Sequence, residues 1–194
     1  MNPFLIFIGA AFINNFVLTQ FLGMCPFFGV SKKTETALGM GLSVLFVMVI
    51  ATAITYPMYI LILVPLNLAY LQTIVFILII ASIVQFLETF MKKAFQRLYT
   101  LLGVYLPLIT TNCAILGLTL LNIQKNHSFL GALVNSLGAG FGFLLAIVLL
   151  AGMREKYEED HDIPLIFRGF PLALFAAGLM SIAFTGFQGL VIGR

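Results

Sequence analysis

The stretch TALGMGLSVLFVMVIATAITYPMYILIL, residues 36–63, carries no charged side chain. As a helix at 1.5 Å per residue it would run about 40 Å, more than the hydrocarbon core of a bilayer. Working outward, the same character holds throughout. Of 194 residues, 61% are hydrophobic and 9% charged, and mean hydropathy is +1.11, whereas soluble domains run near a quarter charged. Six apolar segments follow one another: roughly Phe4–Leu22, Thr36–Leu63, Leu71–Phe90, Leu98–Leu121, Phe129–Met153 and Pro171–Ile192. The expected fold is an all-α integral membrane protein with six transmembrane helices, a single transmembrane domain over residues 1–194. The longest polar stretch, Arg154 to Asp162, is too short to fold alone, so no soluble catalytic head is expected. Nor is a cleavable signal, because Met1-Asn2-Pro3 lacks a basic leader and no small-residue cleavage site follows the first apolar run.

Charge placement predicts orientation. Lys32, Lys33, Lys92, Lys93, Arg97, Arg154, Lys156 and Arg168 fall on one side of alternating spans, and only Lys125 and Arg194 on the other. Cytoplasmic loops are enriched in Lys and Arg, so both termini are expected on the non-cytoplasmic side. The net charge of +3 therefore carries no implication of nucleic-acid binding.

The chain also resembles itself. Leu38-Gly39-Met40-Gly41-Leu42-Ser43-Val44-Leu45 matches Leu137-Gly138-Ala139-Gly140-Phe141-Gly142-Phe143-Leu144, and Ala81-Ser82-Ile83 matches Met180-Ser181-Ile182 at the same offset. With a small shift, Asn14-Asn15-Phe16-Val17-Leu18 lies opposite Thr111-Asn112-Cys113-Ala114-Ile115. Repeats of about 1–97 and 98–194 would each hold three spans, so the second must enter the membrane inverted. Inverted repeats whose helices are interrupted at matching places, helices one and four here, put a site near the midplane. Gly138 with Gly142, and Ser136 with Gly140, form small-residue pairs that let helix backbones approach closely. A nucleotide loop at Gly39-Met40-Gly41 is not expected, since no Gly-Lys-Ser follows it.

The two cysteines, Cys25 and Cys113, fall where these helices should break. Cys25 stands between Gly23 and Pro26, and proline removes a backbone donor. Pro107 disrupts the fourth span, and Thr110, Thr111 and Asn112 then offer helix caps just before Cys113. A half-helix starting there would turn its unpaired N–H groups and positive end towards the sulfur, which favours a thiolate. Four roles remain open from the residues themselves: inert packing, a structural disulfide, a redox-sensing thiol, or metal ligation. Irregular backbone persists at membrane depth only when buried in protein or lining a cavity, which weighs against inert packing. If spans one and four were straight, the two sulfurs would be roughly 20 Å apart in depth. A shared site thus requires span one to break, and Asn14-Asn15 is the expected place, because two amides in an apolar span need partners. The spacing from 25 to 113 matches no zinc or ferredoxin motif, and two thiolates are half of what a [2Fe-2S] centre usually takes.

The runs Asn14-Asn15-Phe16-Val17-Leu18, Phe21-Leu22-Gly23-Met24-Cys25-Pro26-Phe27, Val30-Ser31-Lys32-Lys33 and Leu106-Pro107-Leu108-Ile109-Thr110-Thr111-Asn112-Cys113 closely resemble the RnfA proteins of Rnf electron-transport complexes. That family is related to the NqrE protein of the sodium-pumping NADH:quinone reductase. The resemblance covers essentially the whole chain, including Met153-Arg154-Glu155 and Ala177-Gly178-Leu179-Met180-Ser181. The Asn126-His127 loop looks more like the Rnf branch, and neither cysteine departs from the pattern. The resemblance implies a partner, the homologous RnfE protein of opposite topology, and a [2Fe-2S] cluster shared between the two. Cys25 and Cys113 would then be this chain's cofactor-binding, metal-ligating pair. It also implies a bacterial inner-membrane complex with RnfB, RnfC, RnfD and RnfG, coupling electron transfer between ferredoxin and NAD to movement of Na+ or H+. This chain would be a relay within that translocase, with no complete active site of its own.

Other polar residues carry smaller expectations. Glu88 is a candidate ion ligand but more simply an interfacial carboxylate paired with Lys92. Thr19, Gln20, Thr52 and Thr55 either line a path or bond to helix backbone. His127, His161 and the run Glu158-Glu159-Asp160-His161-Asp162 read as solvated loops. The competing classes are a non-redox secondary transporter, which suits inverted repeats equally well, and a membrane scaffold.

Overall fold

The computed structural model describes residues 3–13, 15–66, 69–94, 108–109, 111–159 and 169–192. Among them every regular element is helical. Helix α1 (Pro3–Ile8) runs into a π-turn (Gly9–Ile13), and two short helices follow, α2 (Phe16–Thr19) and α3 (Met24–Gly29). Helix α4 (Thr34–Met58) continues through a second π-turn (Tyr59–Leu63), just after Pro57 interrupts its hydrogen-bond ladder. A 3-10 turn (Ala69–Leu71) leads into α5 (Gln72–Ala94), and then come α6 (Cys113–Gln124), α7 (Phe129–Glu159) and α8 (Phe170–Ile192).

Among the described residues, three helices are long and apolar enough to cross a membrane: Thr34–Leu63, Gln72–Thr89 and Phe129–Tyr157. Cys113–Gln124 and Phe170–Gly186 are shorter apolar helices. The first part of the expected fourth segment, residues 98–107 with Pro107 included, lies outside the described residues, as do Thr110 and, at the first break, Asn14. Leu61, Leu78, Phe86, Leu130 and Ile182 all stand exposed. Such apolar outer faces suit helices whose solvent is lipid.

Helices α4 and α7 pair along their length and form the centre of the molecule. Met40, Val44, Met48 and Ala51 of α4 are buried against Ala139, Phe143, Ala146 and Ile147 of α7. Lipid tails are as apolar as leucine, so association in a membrane depends on close packing more than on hydrophobic burial. The small residues supply that closeness on two faces of α7. A Cβ added at Gly138 would stand 2.7 Å from the Phe7 carbonyl oxygen, and one at Gly142 would stand 2.8 Å from that of Ala11. On the opposite face, a Cβ at Gly140 would meet Leu45 at 2.8 Å, and Ser136 bonds the Thr52 hydroxyl at 2.7 Å. Both small-residue pairs therefore serve helix packing, as the sequence predicts.

The first segment does break, and Asn15 organises the break. It caps α2, its side-chain oxygen accepting from the Val17 N–H at 3.2 Å, and its Nδ2 donates to the Gly142 carbonyl at 2.9 Å. On the far side of α2, Ser181 of α8 donates to the Leu18 carbonyl at 2.6 Å. Helix α2 is thereby held between α7 and α8. The chain then turns through Phe21 (φ 55°) and Gly23 (φ 83°) into α3. Pro26 is not the break itself. It lies in the first turn of α3, where a missing N–H costs nothing.

Candidate functional site

Cys25 and Cys113 each sit at the start of a short helix. Cys25 is the second residue of α3, whose cap Gly23 offers no side chain to the first N–H groups. Cys113 is the first residue of α6, capped by Asn112, whose Oδ1 accepts from the Ala114 N–H at 3.0 Å. The predicted half-helix start at Cys113 is thus observed, with Asn112 rather than either threonine as the cap.

One contact joins the two starts. The Gly23 N–H donates to the Cys113 sulfur at 2.9 Å. Two peptide units separate Gly23 from Cys25, so their Cα atoms are within about 7.6 Å of each other. The large separation in depth expected for straight helices therefore does not occur. Both thiols are free and both are exposed on the surface of this chain. Exposure is inconsistent with inert core packing, and the free state with a disulfide between them.

Gly23 is required at this junction for two reasons. Its φ of 83° lies in the left-handed region, and a Cβ there would come within 2.9 Å of Ala114 Cβ and 3.1 Å of Asn112 Oδ1. Phe21, a non-glycine residue at φ 55°, marks the same turn as strained. Beside it, Asn112 Nδ2 is buried with no hydrogen-bond partner, while its oxygen is committed to Ala114.

The donor set fits half of a thiolate-ligated iron–sulfur centre. Among the described residues, no cluster of three or more His, Cys, Asp or Glu side chains could hold a metal ion, so none of these residues adds a third ligand to the two sulfurs. They face outward, a backbone N–H already points at one of them, and the 12-residue helix α6 presents its positive end to it. Each feature favours an anionic sulfur-ligated group completed from outside.

The chain matches the family model described as Rnf-Nqr subunit, membrane protein, over residues 3–191. This chain belongs to the Rnf-Nqr family. It is 57% identical, over 100% of both chains, to the A component of the Na(+)-translocating ferredoxin:NAD(+) oxidoreductase complex of Acetobacterium woodii. The A components of the ion-translocating oxidoreductase complexes of Syntrophotalea carbinolica and Aeromonas hydrophila are 55% and 53% identical, over 99% and 96% of each chain respectively. As an Rnf-Nqr protein with several long apolar helices, the chain is a multi-pass membrane protein.

The remaining polar residues sort themselves by contact. Thr19 and Thr55 donate to helix carbonyls at Asn15 and Ala51, while Thr52 crosses to Ser136. Glu88 is half-buried, and the Lys92 side chain, like His161, lies outside what is described. His127 is not simply solvated. It lines a cleft of about 220 Å³ with Gln20, Lys125 and Asn135, and its carbonyl accepts from the Tyr56 hydroxyl at 2.7 Å. Burial, then the neighbouring Lys125, lowers its pKa below 6.5. A further polar row, Asn135–Asn122–Ser136, runs inward from that cleft. Sequence reasoning missed this row because its members lie on two helices, α6 and α7.

Proposed function

We propose that this chain is the RnfA component of an ion-translocating ferredoxin:NAD oxidoreductase complex and contributes Cys25 and Cys113 as half the ligand set of an intramembrane [2Fe-2S] cluster. The observation that carries this reading is the convergence of two exposed, unpaired thiols at helix starts joined by the Gly23-to-Cys113 bond. The names of the relatives supply the reaction class. The other two thiolates come from the homologous RnfE protein of opposite topology. The rest of the redox machinery, and the ferredoxin and NAD sites, belong to RnfB, RnfC, RnfD and RnfG. Bound at these sulfurs, the cluster supplies one-electron relay chemistry. The chain's own residues hold the geometry: Gly23 and Asn112 fix the two turns, Asn15 and Ser181 fix the re-entrant helix α2, and the α4–α7 pair forms the rigid frame.

The proposed architecture is six spans in two inverted repeats, with both termini on the non-cytoplasmic side of a bacterial inner membrane. Asn15 and Asn112 support it. These residues are paired by the internal repeat, both cap a helix, and both take an N–H two residues on, with φ/ψ of −67°/95° and −75°/109°. The charge asymmetry supports the orientation.

Replacing Cys25 or Cys113 by serine tests the assignment. In the purified complex, either change is expected to abolish one [2Fe-2S] signal in electron paramagnetic resonance while the signals of other centres remain. A full set of signals in both variants would contradict the reading and favour a carrier or scaffold without redox chemistry.

A further inference from the structure

We infer that Arg154 is a positioning residue for Cys25, gripping the far end of the cysteine-bearing helix. The inference rests on the ligand reading above. Arg154 is 7% exposed, unusual for an arginine. Its Nη1 donates to the Phe28 carbonyl at 2.9 Å and to the Ser31 hydroxyl at 3.0 Å. Phe28 belongs to α3, so its carbonyl is one of the acceptors that the helix leaves unpaired at its C-terminal end. The next residue does the complementary job. Glu155 accepts from the Thr34 N–H at 3.0 Å and from the Thr34 hydroxyl, at the N-terminal end of α4. One dipeptide near the end of α7 thus meets two helix ends of opposite polarity, a cation at carbonyls and an anion at N–H groups. Val30 and Ser31, between those ends, are fully covered.

Helix α3 has only six residues and no side-chain cap at Gly23, so little within it fixes its position. Its N-terminal end is set by the Gly23 contact to Cys113, and its C-terminal end by Arg154. Phe28 follows Cys25 by about 4.5 Å along the axis, which places the guanidinium on the order of 10 Å from the Cys25 backbone. At that range in a protein interior a cation is only weakly screened. It stabilises whichever oxidation state of a group on Cys25 is more negative, and so raises the reduction potential. Arginine's place here reflects this grip as well as its cytoplasmic position in the topology.

The test is a redox titration of the complex, followed by electron paramagnetic resonance of the cluster signal that Cys25→Ser removes. Arg154→Gln is expected to lower the midpoint potential and broaden the signal, whereas Arg154→Lys, with a cation and three donors for the same oxygens, restores both. Ser31→Asp sets a carboxylate against the guanidinium and is expected to shift the potential in the same direction, which decides the matter if Arg154→Gln does not assemble. An unchanged potential and line shape in Ser31→Asp, or in an assembled Arg154→Gln, overturns the positioning role. If no signal depends on Cys25 at all, the underlying ligand reading fails instead, and the two failures are distinct.

Discussion

Gly23 shows how much one residue can settle. Its N–H reaches the Cys113 sulfur, its φ is positive, and its Cα faces Ala114 and Asn112 too closely for a side chain. Gly23→Ala is expected to destabilise the chain by about 1–2 kcal/mol from the backbone alone, with the steric overlap adding to that. The signal of the proposed cluster should fall further than stability does, because the turn that brings Gly23 against Cys113 must open. Thermal unfolding in detergent beside resonance intensity measures both, and a variant normal in each would contradict this account of the turn. At this scale Asn112 was legible, since Thr-Thr-Asn before an apolar run is a cap signal. Phe21 was not. Nothing in an aromatic residue encodes φ 55°, and the turn is imposed by α2 and α3 being anchored on either side of it.

Among elements, α7 organises the fold through faces that alternate every second residue. Gly138 and Gly142 admit the α1 segment, and Gly140 and Ser136 admit α4. Gly142→Ala puts a methyl against the Ala11 carbonyl and close to the Asn15 amide, neither of which can retreat without breaking the α2 cap. It is expected to cost about 1–3 kcal/mol, typical of overpacking. Gly178→Ala is the control, because a Cβ there meets nothing within 4 Å, and it should leave the melting temperature unchanged or slightly higher. Equal losses for the two would contradict the packing account. The small-residue rows were readable from sequence because their spacing is helical. Their two-sided assignment was not, since only tertiary contacts decide which row meets which helix. The π-turns were equally hidden, although Pro57 marked the region of one.

Across the whole molecule, the all-helical, apolar character of a membrane protein was written in composition, because a bilayer allows few alternatives. What composition could not convey is how distant loops pair. Arg154 reads as one more cytoplasmic cation until the fold carries it to Phe28 and Ser31. His127 likewise reads as a loop residue until α1, α6 and α7 form a cleft around it. Its lowered pKa has a definite consequence. With the folded value below 6.5, the unfolded chain binds the proton more readily, so stability is level above pH 6.5 and declines as pH falls through that value towards the folded one. His127→Gln should flatten the decline in detergent-based unfolding between pH 7 and 5, and an identical decline in both proteins would assign it to other groups.

The central claim is that this chain presents two thiolates for an iron centre completed by its homologous partner. Iron and acid-labile sulfide analysis of the two homologous proteins purified together, with their visible spectrum, tests it most directly. About two irons per pair, and a coloured preparation bleached by Cys113→Ser, are expected. A colourless, iron-free pair that is nonetheless folded and associated would contradict it.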